Sequence, residues 1–180
     1  MPRGGWVRAG EVLPRIALQS FTAPRGEGQT RTTLQVMARL AARSAYSPAV
    51  VAAAVDAVRS VSGRDTVGLA RELEAWGRTH LAFLPDPLLD GDFIRTPDYM
   101  LAEVERFGVA RGDCDDAAVL MAALGLAIGL PARIRAVAFT DWRPFEHVWT
   151  ELGTAAGWIE LDPTREEPIR HIDRSLVIEV

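Results

Sequence analysis

Two hydrophobic periods run along this chain, and the switch between them falls near Pro131. Before it, apolar residues recur every three to four positions, the spacing of one helix face. After it they come in short runs bounded by turn residues, the texture of strands. Leu34, Met37, Ala38, Leu40 and Ala41 define a first helix from about Thr30, with Thr32 or Thr33 as its cap. Ser47-Pro48 opens a second helix, with serine capping and proline in the first turn, carrying Val50, Val51, Ala54, Val58 and Val61. Asp65 caps a third that holds Leu69, Leu73, Trp76 and Leu81. Pro85, Pro87, Asp90 and Gly91 read as a loop. Thr96-Pro97 opens a fourth helix, with Tyr99, Leu101, Val104 and Phe107 able to pack inward, and Gly108 to Gly112 connects it to the next.

The segment from Ala117 to Ile128 has no polar face at all. A helix that is apolar all round belongs inside the fold, so this one is expected at the centre. It stops at Gly129-Leu130-Pro131, glycine past the end and then proline. Strands are expected at 132–139, 145–152, 157–162 and 175–180. Helices first and strands later predict an α+β fold with an antiparallel sheet. Residues 1–29 form an N-terminal extension. Glu11 to Phe21 supplies one edge strand there, with Pro24 to Gly28 as a loop. Residues 30–180 are expected to make a single domain.

Composition narrows the function classes. The chain has 180 residues, 48% hydrophobic and 24% charged, with a formal net charge of −4. No basic cluster suggests a nucleic-acid partner. All the basic residues are arginine. One cysteine excludes an internal disulfide. The first twenty residues are broken by Arg8, Glu11, Pro14 and Arg15 and so do not read as a signal peptide. No run reaches the length of a membrane span, so a cytoplasmic location is the expectation, with no membrane partner.

That single cysteine, Cys114, stands at the start of the central helix in Gly112-Asp113-Cys114-Asp115-Asp116. Unpaired N–H groups and a partial positive charge at a helix start favour the thiolate, the reactive form. The neighbouring acids oppose it. Downstream stand His147, in Phe145-Glu146-His147-Val148-Trp149, and Asp162, in Trp158-Ile159-Glu160-Leu161-Asp162-Pro163-Thr164. Nucleophile, base and orienting group are thus present in order. A hairpin over 145–152 and 157–162, with Gly153 to Ala156 as its loop, pairs Leu152 with Gly157. His147 and Asp162 then lie directly opposite on one face, about 4.5–5.5 Å apart at Cβ.

The Cys114 N–H is a natural oxyanion donor. Trp76, Tyr99 and Trp142 are candidates for the second, and Asp116 for holding the segment that bears His147. Trp149, Trp158 and Asp113 are candidates to line the substrate cleft, although tryptophans there more often pack a sheet. His80 and His171 read as structural. Asp113, Asp115 and Asp116 read as complements to the helix N-terminus rather than as a metal site.

These three blocks together resemble the signatures of the transglutaminase-like superfamily, over roughly residues 93–165. The resemblance implies a papain-like fold, with cysteine on a central helix against a sheet that carries histidine and aspartate. It implies Cys114 as nucleophile, His147 as base and Asp162 as orienting residue, with no cofactor. Phe93-Ile94-Arg95-Thr96-Pro97 looks like the stand-alone phage- and prophage-borne members. The expected activity is acyl transfer from an amide, through a thioester, on a protein or peptide substrate. Hydrolysis is favoured because water is the most abundant acceptor. Coupling of glutamine to an amine is the first alternative. A non-catalytic, virion-associated component that contacts phage structural proteins is the second.

Overall fold

The computed structural model describes residues 19–21, 27–86, 92–141, 144–167, 169 and 171–180. Its elements are β1 (Gln19–Phe21), α1 (Glu27–Ser44), α2 (Pro48–Ala57), α3 (Thr66–His80), β2 (Leu81–Phe83), β3 (Asp92–Ile94), α4 (Pro97–Phe107), β4 (Ala110–Gly112), α5 (Cys114–Ala127), β5 (Ala132–Ala138), β6 (His147–Thr154), β7 (Gly157–Leu161) and β8 (Arg174–Glu179). The last four form an antiparallel sheet in the order β7-β6-β5-β8. Two small pairs stand apart from it, β1 with β3 and β2 with β4. The part of the expected extension before β1 lies outside the described residues, as does the 87–91 part of the expected loop.

Local chemistry sets most of the helix starts. The Ser47 hydroxyl accepts from Val50 N–H at 3.2 Å and the Asp65 carboxylate from Gly68 N–H at 2.9 Å. Thr96 Oγ1 accepts from Tyr99 N–H at 3.3 Å ahead of Pro97. The first helix departs from expectation. It starts at Glu27, and Thr32 and Thr33 sit inside it with their hydroxyls donating to the Gly28 and Gln29 carbonyls. A threonine can satisfy its hydroxyl within a helix in this way and need not cap it. Two further differences belong together. Leu81 begins β2 instead of ending α3, and the expected connector at 108–112 contains β4. Leu81 pairs with Ala110 and Phe83 with Gly112, in parallel. Three-residue strands are too short to show a period, so sequence could not mark them.

Helix α5 is the core of the molecule. Ala117 to Leu124 are each no more than 3% exposed. The other four helices pack around it, and β6 closes the remaining side. Leu120, Met121 and Leu124 are fully buried, each contributing roughly 1.5–3 kcal/mol from burial. Helix and sheet meet closely at Gly125, where an added Cβ would overlap the Leu152 side chain. Beside that contact, Thr150 Oγ1 donates to the Ala118 carbonyl at 2.6 Å. Val148, Thr150 and Leu152 therefore form the α5-facing side of β6, and Trp149 and Glu151 the other, by strand alternation.

The β6–β7 hairpin is tighter than sequence suggests. Thr154 pairs with Gly157, so only Ala155 and Ala156 remain in the turn. Gly157 has φ of 101°, the left-handed conformation that follows a type I turn in a bulged hairpin. The expected four-residue loop misses this because nothing but that one glycine signals it. The register is therefore displaced by two positions from the expected one. An even displacement keeps each side chain on its face.

Gly125→Ala should destabilise the fold by about 1–3 kcal/mol through overpacking against Leu152. The check is a lowered urea midpoint with an unchanged slope.

Candidate active site

Helix α5 begins at Cys114, so its first turn carries backbone N–H groups with no carbonyl four residues back inside the helix. Asp116 anchors this turn. Its carboxylate is wholly buried, accepts from Asp113 N–H at 3.3 Å and from Arg95 N–H at 2.6 Å, and pairs with the Arg95 guanidinium. Arg95 also reaches Asp86 at 3.4 Å. The segment leaving β3 is thus tied to the cysteine turn. Asp116 was expected to hold the segment that bears His147; it grips Arg95 instead, because Arg95 supplies both a backbone and a guanidinium donor.

The sulfur lies near the start of β6, close enough to the Val148 backbone N–H for that group to favour its thiolate. One residue back, His147 Nε2 lies 2.6 Å from Asp162 Oδ2. The two side chains are only 9% and 6% exposed. The ring N–H at Nε2 donates to the carboxylate, which leaves Nδ1 as the nitrogen able to take a proton. The contact is diagonal across the hairpin, since the direct partner of Thr150 is Leu161 and Asp162 lies just beyond the ladder. The two-position displacement is bridged by side-chain length, as long side chains do at diagonal sites. Asp162 Oδ1 accepts from both Thr164 N–H at 3.2 Å and Thr164 Oγ1 at 2.6 Å. Thr164 received no role in the sequence reading. An Asp-Pro-Thr turn is the signal that could have found it.

Electrostatics assign each group its resting form. Burial pushes the Asp162 carboxyl up, but hydrogen bonds from His147 and Thr164 outweigh it and hold it below the usual carboxylate range. Cys114 goes the other way. Burial, then the charges of Asp115 and Asp113, push its thiol up to about 12, against the Val148 hydrogen bond. The helix start was expected to favour a thiolate; desolvation and two acids override it. The folded state thus favours the thiol, fully so below the ordinary value of 9, and that preference disappears as pH rises through 12. Asp115 is itself held well above its usual value, by burial first and then by its hydrogen bond with Asp113. Burial also lifts Asp116, to about 6, despite Arg95.

A model of the transglutaminase-like superfamily matches residues 56–163, more than half of the chain. The chain belongs to the transglutaminase-like superfamily. No curated protein matches it. Two solved structures share the fold. One is a candidate cysteine protease from Cytophaga hutchinsonii, at 18% identity and a TM-score of 0.51, over 72% of this chain and 45% of that one. The other is a candidate protease from Parabacteroides distasonis ATCC 8503, at 15% identity and a TM-score of 0.57, over 87% of this chain and 32% of that one. This transglutaminase-like chain therefore spans less than half the length of either.

The remaining sequence-predicted residues have partners of their own. Trp149 is 2% exposed, with its ring 5.9 Å from that of His147. It packs beside the imidazole and cannot line an open cleft, as was expected of it. Trp158, the other expected cleft wall, lies at the turn end of the hairpin under the Arg133 guanidinium, 4.1 Å from its ring centre. Among the oxyanion candidates, the Tyr99 hydroxyl donates to Glu103 at 3.0 Å, and Trp76 stacks on His80 at 4.7 Å. Trp142 lies outside the described residues. Asp113, the third expected cleft residue, is the N-cap of α5. Asp113, Asp115 and Asp116 each offer an oxygen within 4.8 Å of the others, the one such acidic group among the described residues. Both oxygens of Asp116 already have protein donors.

With a neutral resting thiol, alkylation of Cys114 by iodoacetamide should be slow at pH 7, where His147 has to take the proton, and should climb steeply only above about pH 9. Asp113→Asn keeps an N-cap side chain but removes one opposing charge. It should raise the alkylation rate at pH 8 by about threefold or more. Mass-spectrometric rate measurements across pH check both.

Proposed function

We propose that this protein is a cysteine-dependent hydrolase of amide bonds, with Cys114 as nucleophile, His147 as base and Asp162 as orienting group. One observation carries the reading: the imidazole held by Asp162 and the backbone N–H that acts on the sulfur belong to consecutive residues of one strand, His147 and Val148. As the sulfur attacks the substrate carbonyl carbon, its proton passes to His147, since the resting thiol does not ionise alone. The Cys114 N–H receives charge developing on the carbonyl oxygen. His147 then returns the proton to the amine, which leaves as the C–N bond breaks. Water, deprotonated by His147, cleaves the thioester and frees the thiol. Asp162 stays ionised and stabilises the imidazolium throughout. No step calls for a cofactor.

The substrate class is protein or peptide. Membership of the superfamily supports acyl transfer in general, and water is the acceptor always present. The Phe93–Pro97 block, which the structure ties to the cysteine turn through Arg95, supports placement with the stand-alone phage- and prophage-type members.

Cys114→Ala should abolish cleavage of a peptide library or of peptidoglycan fragments while circular dichroism stays unchanged. Asp162→Asn should lower kcat on the order of 10²–10⁴-fold. Cleavage that survives in Cys114→Ala rejects Cys114 as nucleophile, and a particle or host phenotype unchanged in Cys114→Ala favours a structural role. Glycine ethyl ester added to the reaction separates the two chemistries. A free carboxylate product means hydrolysis; an amine-coupled product means a transglutaminase.

A further inference from the structure

Asp162 has to present its carboxylate to His147 from a turn that lies beyond the end of β7. Its Oδ1 is held by Thr164, but Thr164 belongs to the same turn and cannot fix where that turn sits. The turn is fixed from outside, by α3. Arg78 Nη2 donates to the Asp162 carbonyl at 3.3 Å, and Nη1 donates to the Arg165 carbonyl. One guanidinium thus spans both ends of the 162–165 segment. The plane of its fork is set by Glu74, whose Oε1 accepts from Nε at 3.1 Å and from Nη2 at 2.6 Å. Glu74 lies one turn earlier on the same helix.

The preceding residue makes a second contact. Gly77 is buried, and a Cβ placed there would lie 3.0 Å from both Pro163 Cβ and Met121 Sδ. Helix α3 therefore seats Pro163 directly on its backbone, between Asp162 and Thr164. Met121 belongs to α5, so the same seat fixes the turn relative to the cysteine helix.

We infer that Arg78, with Gly77, is a positioning residue for the reaction: it clamps the Asp162 turn so that the carboxylate meets His147. The inference rests on the Cys114–His147–Asp162 reading and extends it to α3. The alternative is an ordinary surface ion pair between Arg78 and Glu74. Arg78 is 43% exposed, and exposed pairs contribute little to stability. Two backbone carbonyls at the ends of one turn are the feature such a pair does not need. They suit a planar fork with several fixed donors, which lysine lacks.

A cavity of about 200 Å³ adjoins the clamp, lined in part by Glu74, Arg78, Asp162 and Arg165. It gives a route for a small cation into the place of a truncated side chain.

The test reads the His147–Asp162 contact without needing a substrate. In wild-type protein, the Nε2 proton donated to a carboxylate gives a low-field proton resonance, and Cys114 alkylation at pH 7 depends on His147. Arg78→Gln should lose or broaden that resonance and slow alkylation roughly tenfold. Arg78→Lys should fall between the two. In Arg78→Ala, millimolar guanidinium chloride should restore the rate, and sodium chloride at equal strength should not. Gly77→Ala, which displaces Pro163 but leaves every charge in place, should reproduce the loss. It serves as the second variant should Arg78→Gln fail to fold. A resonance and rate unchanged in folded Arg78→Gln or Gly77→Ala, or equal rescue by both salts, overturns the inference. Failure of the hydrolase reading would show separately, as cleavage persisting in Cys114→Ala while the resonance still responds to Arg78.

Discussion

Because α5 is enclosed along most of its length, the one place where it can present a reactive group is its N-terminal turn. The site follows from that constraint. Side chains from Ala117 to Leu124 give their surface to the core, and only the residues before them are free to be polar. Four acids and one arginine gather there, and Arg95 with Asp116 fixes the turn against the segment leaving β3. The sheet arrives from the other side, its inner face matched to α5 through Gly125, Leu152 and Thr150. The cysteine at the first position of such a helix is placed by its backbone.

The three residues of the proposed triad come from elements that are remote in sequence. Cysteine comes from a helix start, histidine from the first residue of a strand, and aspartate from a turn just past the next strand. None of the three lies within a regular ladder pair with another. Their alignment depends on how the ends of elements are seated, which explains the number of polar anchors there. Asp162 alone uses both carboxylate oxygens and its carbonyl.

How much of this sequence reveals depends on the range of the cause. Caps at Ser47, Asp65 and Thr96 act within three residues, and they are readable in the sequence. The enclosure of α5 is readable as well, since an unbroken apolar run has no other stable place. The hairpin register was not, because a single glycine after two alanines decided it. The face assignment survived, as the displacement was even. Strands β2 and β4 were invisible, each too short to carry a period. The tryptophans were misplaced for a plainer reason: Trp149 and Trp158 have similar flanks, and only packing tells which is buried beside His147 and which lies under Arg133. Arg78 carried no signal except a glutamate one turn before it, a spacing common to any solvated helix. Its partners are 84 and 87 residues away.

The neutral resting thiol has a bearing on durability. Peroxide and other oxidants attack sulfur chiefly after the proton has gone. Burial and two adjacent acids keep that proton on the sulfur. A chain so arranged gives up speed of ionisation and, by the same arrangement, keeps its single sulfhydryl from being spent on a passing electrophile.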